Sequence, residues 1–182
     1  MTVLRTLCVY RNLAIRSRIV TECMTQTMKI MMSRKEGDTE GVPTELNVAA
    51  MGLLWEVARD IEMERLMQLS GIQSRDIVNR LKEVVQLKAV TAVEKRKFPY
   101  MKRSAVGLAM ALTTSYYGHI FKPLFAETEI QDAFRKLSAS DLLKTEAWAI
   151  GDVSDPVVAE TDPDSELLDQ AAQWLHLCNR LE

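Results

Sequence analysis

The chain has few of the residues that build metal sites, disulfides or acid–base machinery: three cysteines and two histidines among 182 residues. Cys8, Cys23 and Cys178 show no metal or disulfide spacing. His119 and His176 form no useful ligand set with Cys178. Also missing are a glycine-rich phosphate loop, a nucleophile elbow and a His-Glu metal helix. The expectation is therefore no catalytic residue, no cofactor and no metal. No apolar run approaches the ~18 residues of a membrane span. Arg5, Arg11, Arg16 and Arg18 interrupt any apolar core that a secretory signal would need. A reduced, cytoplasmic protein without membrane contact is expected.

What is present suits a folded core, since 47% of the residues are hydrophobic. The length fits one domain, or one domain with extensions. The net charge is only −2, but it is unevenly spread. Arg59 to Arg103 holds 11 basic and 6 acidic residues, a local charge of +5. Ala126 to Glu182 holds 4 basic and 13 acidic residues, a local charge of −9. This segregation bears on partners more than the total does.

Helical periodicity dominates. From roughly Leu4 to Arg34 there is no glycine or proline, and Ile15, Ile19, Val20, Cys23, Met24, Met28 and Met31 recur at 3–4 spacing. Residues 35–43 read as a polar loop. Thr44 is positioned to cap a second helix with Leu46, Ala49, Ala50, Leu53, Leu54 and Val57 on its apolar face; Glu45 falls too early for a capping box. Beyond Thr113 a helix is expected through Tyr116, Tyr117, Ile120 and Phe121 until Pro123, then another over 127–143. An acidic loop covers 144–164, and a last helix carries Leu167, Leu168, Ala171, Trp174, Leu175 and Cys178.

The segment between Glu62 and Thr114 carries the functional signal. Residues 62–70 read as a short helix, Gly71 to Gln73 as a sharp turn and 74–87 as a second amphipathic helix. Gly71 supplies the positive φ of such a turn. Leu66, Leu69, Ile72, Ile77, Leu81 and Val84 are the expected small core. Val90 to Val93 is rich in β-branched residues and reads as a strand, with Ala105 to Thr113 as its hairpin partner. Between them, residues 94–103 form a tip with five positive charges. A winged helix-turn-helix has this order of elements and sets one helix in a DNA major groove with a hairpin beside it.

The run from Leu66 through Leu69, Ser70, Gly71, Arg75 and Asn79 to Leu81, then Val90 to Glu94, the basic tip, and Leu112 to Thr114 opening a new helix, resembles a MarR-type transcription regulator. The likeness covers roughly residues 10–125. Two positions depart from it: Lys88 stands where the family usually has glycine, and Ser104 to Gly107 replace its Asp-x-Arg wing motif. The resemblance implies a mainly α fold with a small β-hairpin wing, and a homodimer on a pseudo-palindromic operator. It divides the chain into an N-terminal dimerisation helix (1–34), a DNA-binding domain (44–114) and a C-terminal helical dimerisation or interaction region (115–182). A small-molecule effector in an inter-helix pocket is the other partner class it implies.

On the second helix Ser74, Arg75, Asn79 and Lys82 are the base-reading candidates, since arginine pairs with guanine and asparagine with adenine. Gln73 and Arg80 are expected on phosphates, as are Lys95, Arg96, Lys97, Lys102 and Arg103 of the wing. Plain readings compete with these. Charged runs are often only solvated faces, Met24, Met28, Met31 and Met32 suit packing better than a ligand cavity, and Cys23 suits a buried thiol better than an oxidant sensor. The expected function is a double-stranded-DNA-binding transcription regulator, a repressor. The alternatives are a winged-helix module that binds only protein, and a replication or partition protein using the same motif. The acidic C-terminal region is expected to serve dimerisation or a partner, or to repel DNA from one face.

Overall fold

Among the residues that the computed structural model describes (20–33, 44–59, 61–88, 92–139 and 163–179), every regular element is a helix. A π-helical turn at Val20–Met24 runs into α1, Thr25–Met32. Met24, Met28 and Met31 are fully buried, so the methionine stripe is core. The earlier part of the expected first helix, positions 1–19, lies outside the described residues.

α2 spans Glu45–Val57. Thr44 caps it as expected, but the reciprocal partner is Asn47. Thr44 Oγ1 accepts from the Asn47 N–H at 3.2 Å, and Asn47 Oδ1 accepts from the Thr44 N–H at 2.7 Å. The Asn47 amide nitrogen then donates to the carbonyls of Ile30 and Ser33 at the end of α1. Drawing Asn47 inward rotates the buried face toward Ala50, Met51, Leu53, Leu54 and Val57. Leu46 and Ala49, expected inside, are exposed.

α3 (Met63–Ser70) and α4 (Ser74–Val85) flank Gly71, whose φ is 71°. Its N–H donates to Met67 O at 2.9 Å, closing α3 in the left-handed conformation that glycine adopts most easily. Leu66, Ile77, Leu81 and Val84 are buried as expected; Leu69 is 43% exposed and Ile72 is only partly covered.

The expected β-hairpin wing is not formed. Residues 92–114 make one 23-residue helix, α5 (Ala92–Thr114), so the basic tip and the second strand both become helical; Val90 and Thr91 lie outside the described residues. Two physical reasons are visible. The segment is rich in alanine, leucine, methionine, lysine and arginine, all strong helix formers. In addition, Phe98, Met101, Ala105, Leu108, Ala109 and Leu112 are buried at 3–4 spacing, a helical stripe. Thr114 ends this helix and does not open a new one. Pro99 is accommodated inside it, although it withholds a hydrogen bond from the preceding turn.

α5 is the hub, packing on α2, α4 and the three-helix C-terminal part: α6 (Gly118–Phe125), α7 (Thr128–Ala139) and α8 (Pro163–Asn179). Of these, α6 and α8 touch α5, and α7 reaches α4 and α8. α2 and α5 run side by side in the same direction. Gly52 faces Ser104, Trp55 covers Gly107, Arg59 donates to Thr114 Oγ1 at 3.3 Å, and the Tyr117 hydroxyl donates to Ile61 O at 3.0 Å. α3 and α4 form the crossover between these parallel helices.

Phe121, Phe125, Phe134 and Trp174 close the other side. The Phe134 and Trp174 rings stack with centroids 4.1 Å apart, and Phe125 meets Trp174 edge-on at 5.1 Å. Trp174 Nε1 donates to Thr113 Oγ1 at 3.2 Å, so the buried indole N–H is satisfied. Leu167, Ala171 and Trp174, from the apolar spacing expected on the last helix, are buried in the chain's own core against α5 and α7. No described helix is long and apolar enough to cross a membrane.

Candidate nucleic-acid interface

α4 begins where the chain leaves the glycine turn in extended conformation at Gln73. The Gln73 N–H donates to Asp76 Oδ2 at 2.9 Å, which fixes the first turn and places a carboxylate at the positive end of the helix dipole. Ile77, Val78, Leu81, Val84 and Val85 face inward. Arg75, Asn79 and Lys82 fall four and three residues apart and so share the opposite stripe. Arg75 and Asn79 are exposed, while Ser74 and Lys82 are half-buried. Five of the six expected recognition-helix residues thus lie on this stripe or at its amino end.

Arg80 does not. It is only 2% exposed. Its Nε donates to Met31 O at 3.3 Å and its Nη2 to Ser33 O at 3.4 Å, and Nη1 pairs with Glu83 at 2.9 Å. The last carbonyls of α1 have no donor within their own helix, and the guanidinium fork supplies two. Asn47 serves the same helix end. The expected phosphate contact at Arg80 is therefore corrected to a buried clamp of α4 on the end of α1, which Asn47 ties to α2.

The wing residues divide differently. Lys102 and Arg103 are half-buried on α5 instead of standing on a hairpin tip. The side chains of Lys95, Arg96 and Lys97 lie outside the described residues, although their backbone belongs to the first turns of α5. Because Arg80 meets the end of α1 beside Asn47, and α2 runs parallel to α5, the carboxyl half of α4 and the basic amino end of α5 reach the same end of the molecule.

The outer stripe carries partners to which no sequence pattern pointed. Arg75 pairs through both terminal nitrogens with the carboxylate of Glu127, and Lys82 Nζ lies 2.6 Å from Glu129 Oε2. Both acids stand at the amino end of α7, where the helix dipole favours negative charge. The hydrogen bond from Lys82, and then its charge, hold the Glu129 carboxyl below the usual glutamate range. The only advance signal was local: glutamates flanking Thr128 suit a helix start, but nothing ties them to α4, 47 to 52 residues earlier.

A second surface went unremarked in the sequence. Tyr116, 83% exposed, stands edge-on to Tyr117 and His119, and His119 Nε2 is 3.8 Å from Glu64. Elsewhere Cys23 is a half-buried free thiol packed against the core. No cluster of three or more potential metal ligands occurs among the described residues. Comparison with protein-family models, with curated proteins and with solved structures returns no match.

Proposed function

We propose that this chain binds double-stranded DNA through the outer stripe of α4 and acts as a homodimeric transcription regulator, repressing by occupying a promoter. One observation carries the reading: two short helices meet at a three-residue turn through left-handed Gly71, and the second presents Ser74, Arg75 and Asn79 outward from a buried base. Entry of a helix into the major groove needs an exposed amino-terminal half that the rest of the domain holds rigidly. The clamp at Arg80 and the buried Ile77, Leu81 and Val84 supply that hold.

The proposal keeps the helix-turn-helix of the MarR-type resemblance and drops its wing. A homodimer would set two copies of α4 about one DNA turn apart, ~34 Å. The net +5 of the sequence from Arg59 to Arg103, which contains α4, supports phosphate attraction despite the acidic total.

A protein-binding module is the second reading, favoured by Tyr116, because exposed tyrosines recur as anchors at protein interfaces. A gel shift with random duplex DNA separates the two. The DNA reading expects a shift at ~50 mM salt that weakens at least tenfold by ~200 mM, and, on a site selected from a random pool, a loss of about tenfold in Arg75→Ala/Asn79→Ala. It fails if no duplex shifts at low salt, or if the double variant binds like the parent. Genome-wide binding would then tell promoter occupancy from a replication or partition site.

A further inference from the structure

Glu127 and Glu129 occupy the two cationic side chains on the face proposed to meet DNA, and both reach across from the amino end of α7. We infer that these two glutamates hold down the affinity of α4 for DNA, acting as built-in stand-ins for phosphate. The inference rests on the DNA-binding reading. Its basis is geometric. The Glu127 carboxylate takes Arg75 in the two-pronged manner of a phosphate oxygen pair, and Glu129 takes the Lys82 ammonium at 2.6 Å.

The consequence concerns exchange. A free cation that meets a phosphate releases condensed counterions from the DNA, which drives sequence-independent binding. Here Arg75 and Lys82 must first leave a carboxylate, which then attracts a cation of its own. Every DNA complex that uses these two cations is thereby weakened, on random sequence and on a preferred site alike, because the pairs must break in both. The acids act by lowering affinity, not by blocking the face. Arg75 remains 60% exposed and Lys82 23% exposed, so neither is sealed from a ligand.

The test uses the full chain and random duplex DNA. Glu127→Gln/Glu129→Gln is expected to bind it about 3- to 10-fold tighter at ~50 mM salt, with a slope of log affinity against log salt more negative by up to about 2. Glu56→Gln/Asp169→Asn makes the same change in net charge on α2 and α8, which do not pack against α4 to any extent, and is expected to alter binding less than about twofold. On a site selected from a random pool, the glutamine variant should gain about as much as on random duplex, because the same two pairs no longer have to break. In an Arg75→Ala/Lys82→Ala background the gain should vanish.

Equal gains from the two double variants would overturn the inference, as would a gain that survives without Arg75 and Lys82. If the parent shifts DNA and Arg75→Ala/Lys82→Ala weakens it, yet the glutamine variant binds no tighter, the attenuating role falls and the DNA reading stands. If no variant shifts any duplex, both fall.

Discussion

α4 and α5 are both basic helices with opposite placements. α5 is packed by α2, α4, α6 and α8, and its middle and carboxyl-terminal half lies almost wholly inside the core. α4 is divided lengthwise, with one stripe in the core and one in water. The same contrast recurs within α4. Arg75 and Arg80 are five residues apart, about 140° around the helix at ~100° per residue. That rotation separates a surface ion pair from a buried clamp on α1. The lesson is that local charge marks where cations are, and helix phase decides which of them a partner can reach.

The largest effect expected from this contrast is on stability. Arg80→Ala removes donors from Met31 O and Ser33 O and leaves Glu83 without that guanidinium, which should cost about 2–4 kcal/mol. Arg75→Ala breaks only an exposed pair and should stay within about 0.5 kcal/mol of the parent. Urea denaturation of the two variants measures both. Similar losses would break the division of α4 into a structural and a free face.

Two glycines sharpen the account of α5. A Cβ on Gly107 would lie 2.4 Å from Trp55 Cδ2, so Gly107→Ala forces the indole or the helix to move and should cost about 1–3 kcal/mol. On the other helix of the same contact, a Cβ on Gly52 would meet Ser104 Oγ at an ordinary 3.7 Å. Gly52→Ala should be neutral or stabilise by up to about 1 kcal/mol through helix propensity. If both substitutions had the same sign in thermal melts, the parallel register of α2 and α5 would be wrong.

These positions show where the sequence was legible. The short helix, the glycine turn and the start of the second helix could be read because local chemistry decides them: Gly71 is the residue whose φ needs no Cβ, and the apolar spacing has one helical phase. The methionine stripe and the Leu167, Ala171, Trp174 stripe were readable for the same reason, though not what covers them. α5 was misread because Ala105, Gly107, Ala109 and Ala111 alternate with larger or polar residues as a strand does. Their small size instead permits close helix packing, and Gly107 lies directly under Trp55. Arg80, Asn47, Glu127 and Glu129 were beyond reach. Each finds its cross-element partner 14 to 52 residues away, a separation that no local pattern encodes.

A smaller effect is expected at the turn. Gly71 has open space where a Cβ would go, so Gly71→Ala adds only backbone strain at φ 71°, about 1 kcal/mol, and no clash. Because that strain bears on the angle between α3 and α4, DNA affinity should fall along with stability. Gly107→Ala, at the α2–α5 contact under Trp55, should lower stability and leave affinity unchanged at temperatures where the protein is folded. Loss of affinity in both would place the DNA-binding surface on α5 as well as on α4.

The smallest effect is on titration, and it tests the outer stripe directly. Lys82 holds the Glu129 carboxyl below the usual glutamate range, so the folded value is lower than the unfolded one. The sign follows from linkage. The pair contributes to stability above the unfolded glutamate value, and that contribution is lost as pH falls through the lower, folded value. Since Glu129 is largely in water, the contribution is slight, and carboxyl-carbon NMR is a better gauge than a melt. Glu129 should titrate at lower pH than an unpaired glutamate and should return toward the ordinary value in Lys82→Ala. If Lys82→Ala leaves its midpoint unmoved, the pair does not persist in solution. Lys82 would then stand open to phosphate on the outer stripe, and the difference between α4's two faces would come from burial alone.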